Sequence, residues 1–206
     1  MRREARHDKL SIKEMQSLKT TTTDLPEVLL IHPDVHLDDR GFFVESFHAG
    51  RYSEIGIKAS FVQDNHSLSA RGTLRGLHAQ IAKPQGKLVR VTQGEVLDVA
   101  VDIRRGSPTF GKYVGVRLTA DGFEQLWIPE GFAHGFCVIS ETAELQYKCT
   151  DFYDPTSELT IAWNDPAIGI QWPVDAPQLS ANDSDAPCLS DIELDLLPAY
   201  SAEPDR

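Results

Sequence analysis

The chain of 206 residues is 41% hydrophobic and 25% charged, proportions that suit one compact domain, alone or with tails. A net charge of −11 disfavours nucleic acid or an acidic membrane surface held by the global field, although an anionic small molecule can still bind where cations gather locally. No apolar run reaches the roughly 18 residues of a membrane span, and the opening MRREARHDKLSIKEM lacks the apolar core of a secretory signal, so a cytoplasmic protein is expected.

Residues 1–23 read as an N-terminal extension. In SIKEMQSLK, Ser11 and Glu14 have capping-box spacing, which predicts a short helix ended by the threonine run; Met15 is an alternative start. The middle of the chain reads as strands. In EVLDVAVDI, Leu97, Val99, Val101 and Ile103 alternate with Val96, Asp98, Ala100 and Asp102, the period of a half-buried strand. YVGVRL alternates too, with Val114, Val116 and Leu118 on one face. Gln93-Gly94 reads as a turn, and Asp121-Gly122 as a hairpin turn before EQLWI. In AELQYKC, Ala143, Leu145, Tyr147 and Cys149 share a face opposite Glu144, Gln146 and Lys148. Residues 187–206 form an acidic tail, with a short helix predicted at LSDIELDLL and a frayed end. Many short strands between Gly, Pro and Asp turns point to an all-β sandwich, barrel or jelly roll over residues 24–186. Cys137, Cys149 and Cys188 form no C-x-x-C pair and read as buried, reduced thiols.

Polar residues interrupt this pattern. GTLRGLHAQ, followed by PQGKLVR, sets a glycine six residues before His78, with Gln80 next on the same face; PEGFAHGF later supplies His134. The spacing resembles the two motifs of the cupin superfamily of jelly-roll barrels, whose metal-binding members use three histidines and a glutamate. Here Gln80 stands at the second histidine position and Gln85 near the glutamate position, leaving only His78 and His134. A tight transition-metal site wants at least three strong donors, so no metal is expected. In isolation His78 reads as a buried histidine bonded to backbone, Tyr147 as a core aromatic, Arg40 as a turn arginine paired with Asp38 or Asp39, and Asp183 as a turn residue or helix N-cap. Together, Arg75, Lys87, Arg90, His78, His134 and Tyr147 put more polar chemistry on barrel strands than a core tolerates unpaired, and a cavity for an anionic ligand removes that cost.

DDRGFFVESF, FVQDNHS, LRGLHAQ, QGKLVRV, QLWIPEGFAHGF, YKCTDFYDP, WNDPAIGIQWP and LSANDSDAP occur in this order. Together they resemble the dTDP-4-dehydrorhamnose 3,5-epimerase family, from about Leu25 to Pro187. The resemblance implies a cupin-type jelly-roll β-barrel with short peripheral helices. It also implies a homodimer with an exchanged N-terminal strand, and inversion of carbons 3 and 5 of a dTDP-linked 4-keto-6-deoxyglucose without cofactor. It implies His78 as base with Asp183 as its partner, Lys87 at the ketone oxygen and Tyr147 as proton donor on the opposite sugar face. It implies Arg40 and Arg75 on the diphosphate, with Glu45, Gln63, Asn65 and His134 lining the pocket. Phe152 stands where the family often has tyrosine near the thymine. Alternatives on the same scaffold are a single-carbon epimerase, a non-catalytic nucleotide-sugar-binding cupin and a metal-dependent cupin oxygenase or isomerase.

Overall fold

The computed structural model describes residues 18–201. Thirteen strands and two short helices follow one another among these residues. One sheet has six strands in the order β1 (Lys19–Thr22), β2 (Leu29–His32), β10 (Gln125–Ile128), β7 (Lys87–Gln93), β12 (Thr142–Cys149) and β5 (Gln63–Ala70). A five-stranded sheet runs β13 (Glu158–Thr160), β6 (Leu74–Gln80), β11 (Phe132–Val138), β8 (Glu95–Asp102) and β9 (Tyr113–Thr119). A separate hairpin pairs β3 (Val35–Asp38) with β4 (Gly41–Val44). Helices α1 (Ala49–Glu54) and α2 (Ala181–Ser184) are peripheral. No described helix is long and apolar enough to cross a membrane.

Alternation along the strands builds the barrel. Val89 and Val91 of β7 and Ala143 and Leu145 of β12 meet Val96 and Ala100 of β8 and Phe132 and Phe136 of β11 in one interior cluster. Each fully buried Val, Leu or Phe among these is worth about 1.5–3 kcal/mol over exposure. β8 departs from the half-buried expectation: Val99 and Val101 on its outer face are 0% exposed as well. They pack, with Ile103, against Ile161, Ile168, Leu189 and Leu197 of the C-terminal segment, which forms a second apolar layer over the five-stranded sheet. A third cluster places Tyr52 of α1 and Ile57 on the outer face of the six-stranded sheet, against Ile31, Leu88 and Trp127.

Several local expectations are corrected. The helix predicted from Ser11 lies outside the described residues up to Leu18; the threonine run, read as a helix breaker, belongs to strand β1 (Lys19–Thr22), paired with β2 of the same chain. β-Branched threonines favour that state. The Asp121-Gly122 turn joins no hairpin. β9 pairs with β8 in one sheet, whereas β10 pairs with β2 and β7 in the other, so the turn carries the chain between sheets. Gln93-Gly94 likewise passes from β7 to β8 across the barrel. Gly94 sits at φ +75°, and a Cβ there would meet the Thr142 carbonyl oxygen at 2.1 Å, so only glycine makes this crossing. LSDIELDLL forms two single 3-10 turns, Leu189–Asp191 and Leu194–Leu196, rather than one helix. Beyond it, Tyr200 N–H donates to the Arg105 carbonyl, so the beginning of the tail expected to fray is anchored. All three cysteines are free; Cys137 and Cys149 are buried, but Cys188 is only partly so.

Candidate active site

Residues from both sheets converge inside the barrel. β6 and β11 pair so that His78 lies opposite His134. This approach depends on Gly76, at φ +124°, where a Cβ would come within 2.5 Å of Gly135 Cα. From the facing sheet, β12 contributes Tyr147 and Cys149, and β7 contributes Lys87 opposite Cys149. The Tyr147 and His134 rings meet edge-on with centroids 6.3 Å apart. Lys87 Nζ donates to the His78 carbonyl at 3.5 Å. The interior therefore holds His78, His134, Lys87 and Tyr147 in one compartment.

Asp183 arrives from helix α2. Ser180, not Asp183, caps that helix, accepting the Asp183 N–H. The Ser180 hydroxyl in turn donates to Asp183 Oδ2 at 2.7 Å. The other oxygen, Oδ1, accepts from His78 Nε2 at 2.6 Å and from Gly76 N–H at 3.4 Å. Burial alone would raise the Asp183 pKa, but the bonds from His78, Ser180 and Gly76 prevail and hold it below the usual carboxylate value. A carboxylate fixed in this way orients the imidazole and fixes which ring nitrogen faces it.

The remaining titratable groups are set mainly by burial. It lowers the Lys87 pKa, against opposing influences from Cys149, Asp98 and Glu158. It lowers that of His134, against Asp98, and raises that of the Tyr147 phenol. The expected pocket residues divide into two groups. Gln63 and Asn65, on β5 beside β12, are tied together at 3.1 Å, and Asn65 Nδ2 donates to Cys149 Sγ. Arg75 donates to Ser69 Oγ and acts electrostatically on the Tyr147 phenol. Arg40 is not brought to this group: its side chain is 89% exposed and paired with Asp38 in the β3–β4 turn. Glu45 is engaged by Arg51 at 2.8 Å, and Phe152 is 61% exposed.

Gln80 and Gln85, at the cupin ligand positions, donate instead to the carbonyls of Asp154 and Asp151, each at 2.7 Å, and fasten the loop after β12. Among the described residues no three His, Cys, Asp or Glu side chains are grouped to hold a metal. A cleft of about 330 Å³ opens on the outer face of the six-stranded sheet, lined by Asp64, His66, Leu88, Arg90 and Lys148 and by Asn65 and Tyr147 of the expected site. Three of its polar groups are already paired, His66 with Glu144, and Lys148 and Asp64 with each other. Sequence reasoning passed over Asp98, which is fully buried on β8 and lies 3.0 Å from His134 Nε2 through each oxygen. The signal was a charged residue between Val96 and Ala100, two apolar residues of the strand face that lines the barrel interior.

The family model described as dTDP-4-dehydrorhamnose 3,5-epimerase matches residues 22–191. The chain belongs to that family. The dTDP-4-dehydrorhamnose 3,5-epimerase of Pseudomonas aeruginosa is 57% identical over 178 residues, 85% of this chain and 98% of the relative. That of Salmonella typhimurium is 58% identical over 170 residues, 81% and 93% of the two chains. The crystal structure of the Legionella pneumophila dTDP-6-deoxy-D-glucose-3,5-epimerase, in complex with dTDP-4-keto-L-rhamnose, superposes with a TM-score of 0.88 at 52% identity, covering 90% of this chain and all of that one. The fold of this epimerase family member is thus the expected cupin-type barrel. A dTDP-4-dehydrorhamnose 3-epimerase from Streptomyces niveus is more distant, 40% identical over 174 residues, 83% of this chain and 84% of the relative.

Proposed function

We propose that this chain is a dTDP-4-dehydrorhamnose 3,5-epimerase, inverting carbons 3 and 5 of dTDP-4-dehydro-6-deoxy-D-glucose on the way to dTDP-L-rhamnose. The observation that carries the reading is that His78 and Tyr147 enter one compartment from opposite sheets, with Lys87 beside them. A hydrogen next to a ketone is weakly acidic, and its removal needs a base and a partner for the developing oxyanion. His78 takes the proton, and Asp183 stabilises the imidazolium that results. Lys87 faces the enolate oxygen as an ammonium, and Tyr147 delivers a proton to the other face of the ring. A single group working from one face would only restore the original configuration. His134, Gln63 and Asn65 line the sugar and nucleotide pocket, and Arg75 suits the diphosphate.

The partner in this reading is a second copy of the chain. Leu37, Phe42 and Phe43 are 77%, 62% and 69% exposed on the β3–β4 hairpin, an apolar surface of the kind that marks an interface. Arg40 lies at the tip of that hairpin and Glu45 just past its end, so a docked copy supplies them, across the interface, to a site that lacks them; Phe152 stacks on the thymine at the mouth. Three unpaired cysteines suit a reducing compartment, and the cytoplasm is the proposed location.

Heavy-water incubation with the 4-keto sugar nucleotide tests the chemistry. Wild-type protein should place deuterium at both carbons, and His78→Ala should slow that uptake by about 10²–10⁴-fold. Exchange near the wild-type rate in the variant removes His78 from its role. Deuterium at one carbon only makes the chain a single-carbon epimerase.

A further inference from the structure

Beside the proposed catalytic groups lies a buried carboxylate with no part in the epimerisation as described, Asp98. Asp98 is 0% exposed, in the middle of β8, facing the barrel interior with Val96 and Ala100. Both of its oxygens lie 3.0 Å from His134 Nε2, which offers a single proton. Burial drives His134 toward its neutral form. The ring therefore satisfies hydrogen bonding at Asp98 without cancelling its charge. A buried carboxylate calls for a cation nearby. Lys87, 8% exposed on the facing sheet, is within electrostatic reach.

The groups around Lys87 narrow the choice of counter-charge. Cys149 of β12 stands opposite it, but burial pushes that thiol up, so it is uncharged at neutral pH. Glu158 of β13 is exposed, and its carboxylate accepts from the Tyr153 hydroxyl. β6 presents the His78 carbonyl, and β11 presents the neutral His134 ring. What remains is Asp98, a carboxylate buried on β8 in the same interior and within electrostatic reach of Lys87.

We propose that Asp98 is a positioning residue for the epimerisation: it is the buried counter-charge that keeps Lys87 an ammonium inside the barrel, with the His134 ring held against it. The proposal rests on the reading of Lys87 as the enolate's partner. Without Asp98, desolvation would favour the neutral amine, which offers no full positive charge to an oxyanion.

Asp98→Asn keeps the side-chain shape and an acceptor for His134 while deleting the charge. Side-chain NMR of lysine-labelled protein gives the Lys87 titration midpoint, and the pH profile of kcat gives its basic limb. In the variant the midpoint is expected to fall by about one pH unit or more. The basic limb should move down with it, while KM stays within about twofold at pH values where Lys87 is still charged. An unmoved midpoint overturns the role of Asp98 and leaves that of Lys87 standing. A midpoint that falls while the limb stays in place removes Lys87 from the reaction, and the role of Asp98 with it. Should Asp98→Asn not fold, the double variant Asp98→Asn/Lys87→Met removes both charges and is expected to fold; its failure also overturns the proposal.

Discussion

Tyr147 illustrates how burial selects a chemical role. Its phenol pKa is pushed up, so the hydroxyl keeps its proton throughout the neutral range, the state a donor needs before turnover. Tyr147→Phe retains the edge-on contact with His134 and leaves the His78–Asp183 pair intact. In the proposed scheme this variant loses delivery of the proton to the far face but not its removal from the near one. Net inversion should therefore drop by about 10²–10⁴-fold, while deuterium continues to enter without inversion from the side of His78. Following product formation and label uptake in the same sample separates the two. Equal losses would show that the phenol is needed for proton removal itself.

The end of β8 shows what one carboxylate can do for an element. Asp102, 0% exposed, accepts from the backbone and side chain of Arg104 and from the hydroxyls of Ser107 and Thr109. Arg104 continues to Glu27 and lies over the rings of Phe132 and Tyr200, so the turn after β8, the loop before β2 and the C-terminal segment share this one anchor. Burial would raise the Asp102 pKa, but the donors prevail and lower it. A lowered folded pKa means stability that is full above the unfolded value of about 3.9 and is lost as pH falls through the folded one. Asp102→Asn should cost about 1–3 kcal/mol at pH 7, since it weakens the bonds from Arg104, Ser107 and Thr109 while Arg104 keeps its ion pair with Glu27. The gap from wild type should narrow as acid is added below about pH 4. Urea unfolding at both ends of that range checks this, and a gap of constant size refutes it. The strand itself was legible in the sequence, because alternation is local, as it was for β9 and β12. Its second buried face was not, because the residues that cover Val99 and Val101, such as Ile168 and Leu197, lie far along the chain. Turn chemistry fixed the bend at Asp121-Gly122 but not the pairing partner of the next strand. At the site, spacing alone gave His78 and His134 as barrel residues, while the pairing of Asp183 with His78 spans 105 positions and came only from the family resemblance. Asp98 was hidden inside an ordinary alternation.

At the scale of the whole molecule, the distribution of the arginines distinguishes a self-sufficient barrel from a dimer with shared sites. Arg75 is bonded to Ser69 on the barrel, whereas Arg40 is held by Asp38 on a hairpin that forms its own small sheet. That ion pair is exposed and worth little, so it yields readily to a diphosphate. If a second copy supplies Arg40, then Arg40→Ala and His78→Ala damage different halves of the same composite site. Each homodimer alone should be nearly inactive. In a two-fold dimer, unfolding the two variants together in equal amounts and refolding them gives half the molecules as heterodimers, each with one site that has both His78 and Arg40. The mixture should then recover about a quarter of wild-type activity, with KM close to normal in the restored sites. Should each barrel use its own Arg40, every site in the mixture still lacks one of the two residues, and no activity returns. Sedimentation of the refolded mixture, alongside the assay, establishes that the dimers formed.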